Sequence, residues 1–403
     1  MRLPVAVAIA VVAAGAATVA LRPRNGLIDP APADEQAYFS PGELHRIMEF
    51  TGPQRALGLA GLAISGATLA IVALRPPRPV RRALERAGAR PVLGAAGAAA
   101  GLSVLLVMAG LPVAAVAHSR AKDFGLSTQD WPAWLGDLGK SVAIEAALAA
   151  GAGAIGVALM RRFPRRWWMP GAAAVIALSV VFLWLAPVVL DPVFNRFDPL
   201  PEGRLRSEVL DLARRSGVDV GEVYRVDASR RTTGANAYVN GIGSTKRVVL
   251  YDNLIDGYSD AEVRSVVAHE LAHVKHRDVP RGLLWVAIVA PAGVLVIQRL
   301  TERIGPRGPA GPATLPALAL SIALVSFVLG IPGNYLSRRV EASADAYALR
   351  LTQDPRGFID LERHLTRTNV SDPSPPGWRT ALFGTHPPTM DRIGFALTYE
   401  RER

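Results

Sequence analysis

The sequence predicts a mainly α integral membrane protein, with about seven transmembrane helices and an α+β polar portion. Three observations lead there: an apolar composition, seven apolar runs near membrane-spanning length, and two polar stretches that carry metal-ligand residues at helical spacing. Of the 403 residues, half are hydrophobic and only 20% are charged. Mean hydropathy is +0.24, whereas soluble domains average about 25% charged residues. Cysteine is absent, which excludes disulfides, thiolate metal sites and cysteine nucleophiles. Any metal must therefore be held by His, Asp or Glu. The net charge of +11 is carried almost wholly by arginine, with lysine only at Lys122, Lys140, Lys246 and Lys275. Because the arginines cluster beside apolar runs, they read as orienting charges in a membrane rather than as a phosphate-binding surface. The lipid bilayer is the expected partner, and nucleic acid is not.

The apolar runs are Pro4–Leu21, Ala56–Leu74, Val92–Ala117, Ser141–Met160, Pro170–Leu190, Gly282–Gln298 and Leu315–Leu336. Crossing a hydrocarbon core takes about 20 helical residues. The sixth run is short and contains Pro291. The first has the length of a secretory signal or more, but "LRPRN" and further spans follow it, so it is read as a retained helix. Stretches such as "GAAGAAAGLSVLLVMAG" suit close helix–helix contact in lipid. The Ala and Gly bias of a GC-rich genome accounts for them equally well. Four regions follow from this reading: residues 1–190 with five spans, a polar region at 191–281, a two-span hairpin at 282–336, and a polar region at 337–403.

The first polar region opens with a turn-rich linker, "DPVFNRFDPLPEG". An amphipathic helix over "RLRSEVLDLARRSG" places Leu205, Val209, Leu212 and Ala213 on one face. Two strand-like runs, "VYRVDAS" and "KRVVLYD", flank "GANAYVNGIGST", where Asn240-Gly241 suits a hairpin turn. A helix then starts at Ser259 or Asp260 and runs through "VVAHELAHVKHRD".

His269 and His273, at i and i+4, lie one turn apart on the same helix face, so both imidazoles can reach one metal. Glu270 stands one residue further round. There it can take a proton from an activated water and later deliver it to a leaving amine. A third protein ligand is required if the fourth position is to stay open for water. Glu341 supplies it from "NYLSRRVEASADAYALR", and Asp345, again i+4, is placed to bond the far nitrogen of a ligating histidine. The small residues in "EASADAYA" suit a packed helix face. The span count tests the set: the histidines and Glu341 are separated by spans six and seven, and an even number of crossings returns the chain to the same side. The donors favour Zn2+, one per chain. His276 and Lys275 are assigned to a solvated helix end. His45, His118 and His364 receive no role.

With these residues in view, the chain resembles the M48 zinc metallopeptidases, in particular the Ste24/CAAX prenyl protease branch. The resemblance rests on "HELAHVKHRD", "NYLSRRVEASADAYAL", "GANAYVNGIGSTKRVVLYDNLI", "PVFNRFDPLPEGRL", "FGTHPPTMDRI" and "AKDFGLSTQDWPAWLGDLGK". It implies a gluzincin-like catalytic domain joined to a helical barrel around an intramembrane chamber. It also implies a multi-pass membrane zinc metalloendopeptidase acting on peptide or protein substrates, membrane-embedded or lipid-modified ones included. Carried over by position, His269, His273 and Glu341 look like the zinc ligands and Glu270 the base. Asn236 and Ala237 look like part of an edge strand that pairs with extended substrate. His386 and Arg392 look like the groups that steady the substrate carbonyl and oxyanion. Because eukaryotic relatives cleave prenylated C-termini, the resemblance implies the reaction more directly than the substrate.

Two other readings remain, a membrane quality-control protease and a zinc-protease sensor-transducer. The latter lacks a polar loop large enough for a ligand domain. A transporter is disfavoured, since the spans hold almost no charge beyond Glu145. The side faced by the site is contested: arginine counts place the catalytic region outside the cytoplasm, and the eukaryotic relatives imply the cytosol.

Overall fold

The computed structural model describes residues 2–241 and 246–403. Helices α1 (Leu3–Leu21), α2 (Glu35–Tyr38), α3 (Pro41–Leu74), α4 (Arg78–Ala87), α5 (Pro91–Asp123) and α6 (Trp131–Arg162) come first. Then α7 (Trp168–Leu185) continues through a π-helical turn, Ala186–Leu190, into α8 (Asp191–Phe194). The polar region that follows holds β1 (Phe197–Pro199), α9 (Arg204–Ser216), β2 (Glu222–Val226), β3 (Ala237–Asn240), β4 (Arg247–Tyr251), α10 (Asp252–Gly257) and α11 (Asp260–Lys275). The chain ends with α12 (Asp278–Ile304), α13 (Leu315–Thr352), α14 (Pro355–Thr368), α15 (Gly377–Phe383) and α16 (Thr389–Arg401).

All seven expected spans are present, on α1, α3, α5, α6, α7, α12 and α13, each long and apolar enough to cross a membrane. The protein is a multi-pass membrane protein. Several of these helices run well beyond their apolar runs. The helix α3 starts at a capping box, with Ser40 Oγ accepting from the Glu43 amide and Glu43 accepting from the Ser40 amide. At 34 residues it spans about 51 Å, so its polar first half stands outside the bilayer. Close helix packing occurs where the small residues allow it. On α1, Ala6, Ala10, Ala14 and Ala17 are buried in a cluster with Val289 and Val296 of α12. A Cβ at Gly153 of α6 would stand 2.5 Å from Cβ of Ala99 on α5. Helix α7, by contrast, buries only Ala172, as a lipid-facing span does.

The polar portion forms one four-stranded sheet in the order β1-β2-β4-β3. β2 and β4 are parallel, and β1 and β3 pair antiparallel at the two sides. β1 lies inside the stretch expected to be a turn-rich linker. Its backbone completes the outer edge of β2, a pairing that depends on a distant strand and leaves no hydrophobic pattern of its own. The face expected on α9 is the buried one: Val209, Leu212 and Ala213 enter the core with Val223, Val248 and Leu250, and Leu205 packs against it. β3 and β4 pair as a hairpin would, and Gly241 takes φ +96°. The remainder of the turn expected after Asn240, residues 242–245, lies outside the described residues.

Candidate metal centre

The centre is built where α11 crosses α13. Ser259 caps α11 in a capping box with Glu262. Val263, Val267 and Leu271 anchor the helix in the sheet core, while Ala268 packs with Ala342 and Ala346 of α13. Ala342, Ser343, Ala344 and Ala346 are all buried, and their small side chains let the two helix backbones come close. This is the packed face expected for "EASADAYA". α13 is a single helix of 38 residues, about 57 Å long, so the seventh span runs through Pro332 into the Glu341 turn without a break. The boundary expected at residue 336 does not interrupt it.

The structure brings the expected ligands together. His269 Nε2 is 3.2 Å from Glu341 Oε2, and His273 Nε2 is 3.7 Å from Glu341 Oε1. The two Nε2 atoms are 3.2 Å apart. Glu270 joins the two histidines, with one potential ligand atom from each within 4.8 Å of the others. Each histidine is held from behind. Asp345 Oδ1 lies 2.8 Å from His269 Nδ1, and Asp278 Oδ2 lies 3.0 Å from His273 Nδ1. A carboxylate accepting from Nδ1–H leaves the Nε2 lone pair free for a metal. Asp278 was not foreseen. It follows a turn in which Arg277 adopts a left-handed φ of 57°, and this reversal carries Asp278 back beside His273. The sequence signal was an acid five residues after a ligand histidine, just past the helix end.

This donor set fits a divalent cation. Two imidazole nitrogens and a carboxylate converge, and Glu341 Oε2 is buried with no hydrogen-bond partner among the described residues, a costly arrangement that a shared cation relieves. The cluster already attracts positive charge: burial pulls His269 down, but the hydrogen bond to Asp345 and the nearby charges of Asp345 and Glu341 outweigh it and raise it to about 10. A cation at Nε2 takes the place of that proton. Burial raises the Glu270 carboxyl above its ordinary value, against the lowering pull of the two histidines.

The remaining expected residues fall at three distances from this centre. His386 Nε2 lies 3.3 Å from Glu341 Oε2, with its side chain 60% exposed, on the open side of the cluster. Arg392 stands elsewhere than expected. Its Nε and Nη2 donate to Asp345 at 2.9 and 2.6 Å, and its Nη1 is 2.8 Å from Glu362. Each guanidinium nitrogen is thus directed at an acid behind His269, so Arg392 orients the histidine through Asp345. Asp345 needs such a partner, because a fully buried carboxylate is stable only when paired. Asn236 and Ala237 lie at the start of β3, which no other strand covers on its outer side among the described residues. Asn253 Nδ2 donates to Thr232 O and Gly234 O and fixes the approach to that strand. His276 differs from its expected place at a solvated helix end: its ring is half-buried, 5.3 Å from Tyr347, with Nδ1 3.4 Å from Ser343 Oγ. His364 pairs with Glu262 at 2.9 Å and stacks on Tyr258, a structural contact of α14.

A helix pair that brings two histidines and a glutamate together, an uncovered edge strand beside it and seven spans in one chain define a membrane metallopeptidase. The family model described as Peptidase family M48 matches residues 199–400, and the chain belongs to that family. A second model, described as CAAX prenyl protease N-terminal, five membrane helices, matches residues 86–196, which contain α5, α6 and α7. The chain is similar to the uncharacterized metalloprotease YhfN of Bacillus subtilis, 27% identical over 90% of this chain and 88% of that protein. It is also similar to the CAAX prenyl protease 1 homolog of Oryza sativa, 32% identical over 54% of this chain and 52% of the relative. With CAAX prenyl protease 1 of Saccharomyces cerevisiae it shares 29% identity over 43% and 38% of the two chains. The match to these CAAX proteases thus spans about half their length or less. The fold is that of the crystal structure of S. mikatae Ste24p, with a TM-score of 0.80 over 98% of this chain and 99% of that one, at 17% identity.

Proposed function

We propose that the protein is a zinc metalloendopeptidase of the membrane, hydrolysing peptide bonds in membrane-associated or C-terminal peptide substrates. The observation that carries this is the convergence of His269 Nε2, His273 Nε2 and the Glu341 carboxylate within 3.7 Å, beside Glu270. In this reading His269, His273 and Glu341 hold Zn2+, which supplies Lewis acidity toward a scissile carbonyl and an attacking water. Asp345 and Asp278 keep both Nδ1 protons in place, so both Nε2 lone pairs face inward. Glu270, beside both histidines, accepts the proton of the attacking water and returns it to the leaving amine. β3 offers its free backbone edge to an extended peptide, a mode that reads main chain more than side chain. His386, on the open side, is placed to donate to the developing oxyanion. The names of the CAAX prenyl protease relatives favour lipid-modified C-terminal peptides as one substrate class.

The purified full chain should contain about one zinc, and Glu270→Gln should retain it while losing peptidase activity. Comparing the membrane proteomes of cells expressing wild-type and Glu270→Gln protein then identifies the substrates as species that accumulate in the variant. Substantial turnover by Glu270→Gln would show that another group is the base.

A further inference from the structure

Along α13, Asn334, Arg338, Glu341 and Asp345 are spaced i, i+4, i+7 and i+11, which places them in one stripe on one face of the helix. The lower half of that stripe is the site already described. Its upper half reaches a different part of the chain. Arg338 Nη1 donates to Thr380 O at 2.7 Å and to Gly384 O at 2.5 Å, and Asn334 Nδ2 donates to Leu382 O at 2.8 Å. These three carbonyls belong to the C-terminal turn of α15 and the residue after it. Thr380 O also accepts from the Gly384 amide at 3.0 Å, and a cation at the last carbonyls of a helix is favoured by the helix dipole. None of α15's residues is buried, Trp378 and Phe383 are 56% and 40% exposed, and its other side-chain contacts are loose: Phe383 lies 6.2 Å from Phe327 of α13 and Arg379 4.0 Å from Asp372. The chain also turns tightly at Gly384, where a Cβ would stand 2.8 Å from Thr380 O. Two residues later His386 reaches Glu341.

We propose that Arg338, assisted by Asn334, is a positioning residue that clamps the 377–386 segment onto α13 and thereby holds His386 over the metal ligands. The same helix face then sets both the ligand and the group opposite it, so their spacing is fixed by one rod. The clamp's effect on turnover rests on the peptidase reading above; its effect on α15 does not.

Two measurements on the purified full chain test it. The first is a cycle of Arg338→Gln, His386→Ala and the double variant, read with an internally quenched fluorescent peptide that the wild type cleaves. Arg338→Gln should retain its metal and lower kcat toward the level of His386→Ala, up to roughly 10²-fold for an oxyanion donor. The double variant should be no slower than His386→Ala, because the clamp acts through that histidine. Arg338→Lys should restore part of the rate, keeping the charge but not the fork. If His386→Ala is slow and the double variant slower still by the full Arg338→Gln factor, Arg338 does not act through His386 and the proposal fails. The second measurement needs no activity. The natural chain has no cysteine, so Trp378→Cys carries the sole site for a spin label. The label should become more mobile when Arg338→Gln is added, and an unchanged spectrum would overturn the clamp even if peptide cleavage failed for other reasons. Should Arg338→Gln not fold, Asn334→Ala removes one bond of the same clamp and should give the same pattern, smaller in size.

Discussion

Residue by residue, the centre is organised in two layers with different consequences when altered. Glu341 is the proposed third donor, and Glu341→Ala should abolish stoichiometric metal binding; retention of about one zinc per chain would remove it from the ligand set. Asp278 and Asp345 each touch one imidazole from behind. Asp278→Asn should weaken metal affinity by roughly 10- to 100-fold, the usual cost of losing such a partner, as measured by competition with a chelator. Asp345→Asn should do the same and also destabilise the fold, because Arg392 is then left facing Glu362 with half its partners gone. Removing one member of a buried ion pair costs about 3–5 kcal/mol. Burial already raises the Glu362 carboxyl above its ordinary value, against the opposing pull of Arg392. Asp278 is paired too, with the more exposed Arg281, so a stability loss for Asp278→Asn as large as that for Asp345→Asn would show that the deeper burial of the Asp345–Arg392 pair does not set the cost.

At the level of elements, the proposed peptide site rests on β3, an edge of the sheet. The Tyr251 amide donates to Asn236 O at 3.0 Å, and Tyr238 and Asn240 stand opposite Val249 and Arg247. An antiparallel ladder alternates, so the residues between, Ala237 and Val239, direct their backbone groups to the uncovered side. The Ala237 amide is already taken by Asn236 Oδ1 at 2.9 Å, so the Val239 N–H, without a partner among the described residues, is the one proposed to pair with substrate. Val239→Pro should therefore keep the β4 pairing, since proline is tolerated on an edge strand with its missing N–H outward. One hydrogen bond is lost, worth about 1 kcal/mol, so kcat/KM should fall about fivefold with metal content unchanged. Wild-type kcat/KM in this variant would show that substrate does not pair with β3.

For the whole molecule the open question is the side of the membrane. The loop between α3 and α5 carries six arginines and one glutamate, and "RRFPRR" between α6 and α7 adds four arginines. Arg161 Nη1 donates to Ala310 O at 3.0 Å, so the α6–α7 and α12–α13 loops share one face, opposite the centre. The positive-inside rule puts that arginine-rich face in the cytoplasm and the metal centre outside. Alkaline phosphatase fused after Arg403 should then be active, and a fluorescent protein that matures only in the cytoplasm should stay dark. The reverse pattern would place the centre in the cytosol, as the resemblance to eukaryotic relatives implies.

Local chemistry was enough to read the seven spans, the spacing of His269, His273 and Glu270, the Ser259 cap and the buried face of α9. Each depends on neighbours within about 20 residues, the length of one span, through helical periodicity, hydropathy or a cap. Parity of crossings even brought Glu341 to the right side of the membrane. Contacts between distant segments left no such trace. β1 exists because β2 offers it an edge, Asp278 reaches His273 only through the reversal at Arg277, and His276 is covered by Tyr347 from α13. Arg392 was sought at the substrate and stands behind His269, since a buried Asp345 and Glu362 require a cation between them. Hydrogen bonding and charge pairing across long sequence separations depend on where helices cross, and spacing along a chain does not encode those crossings in any short window.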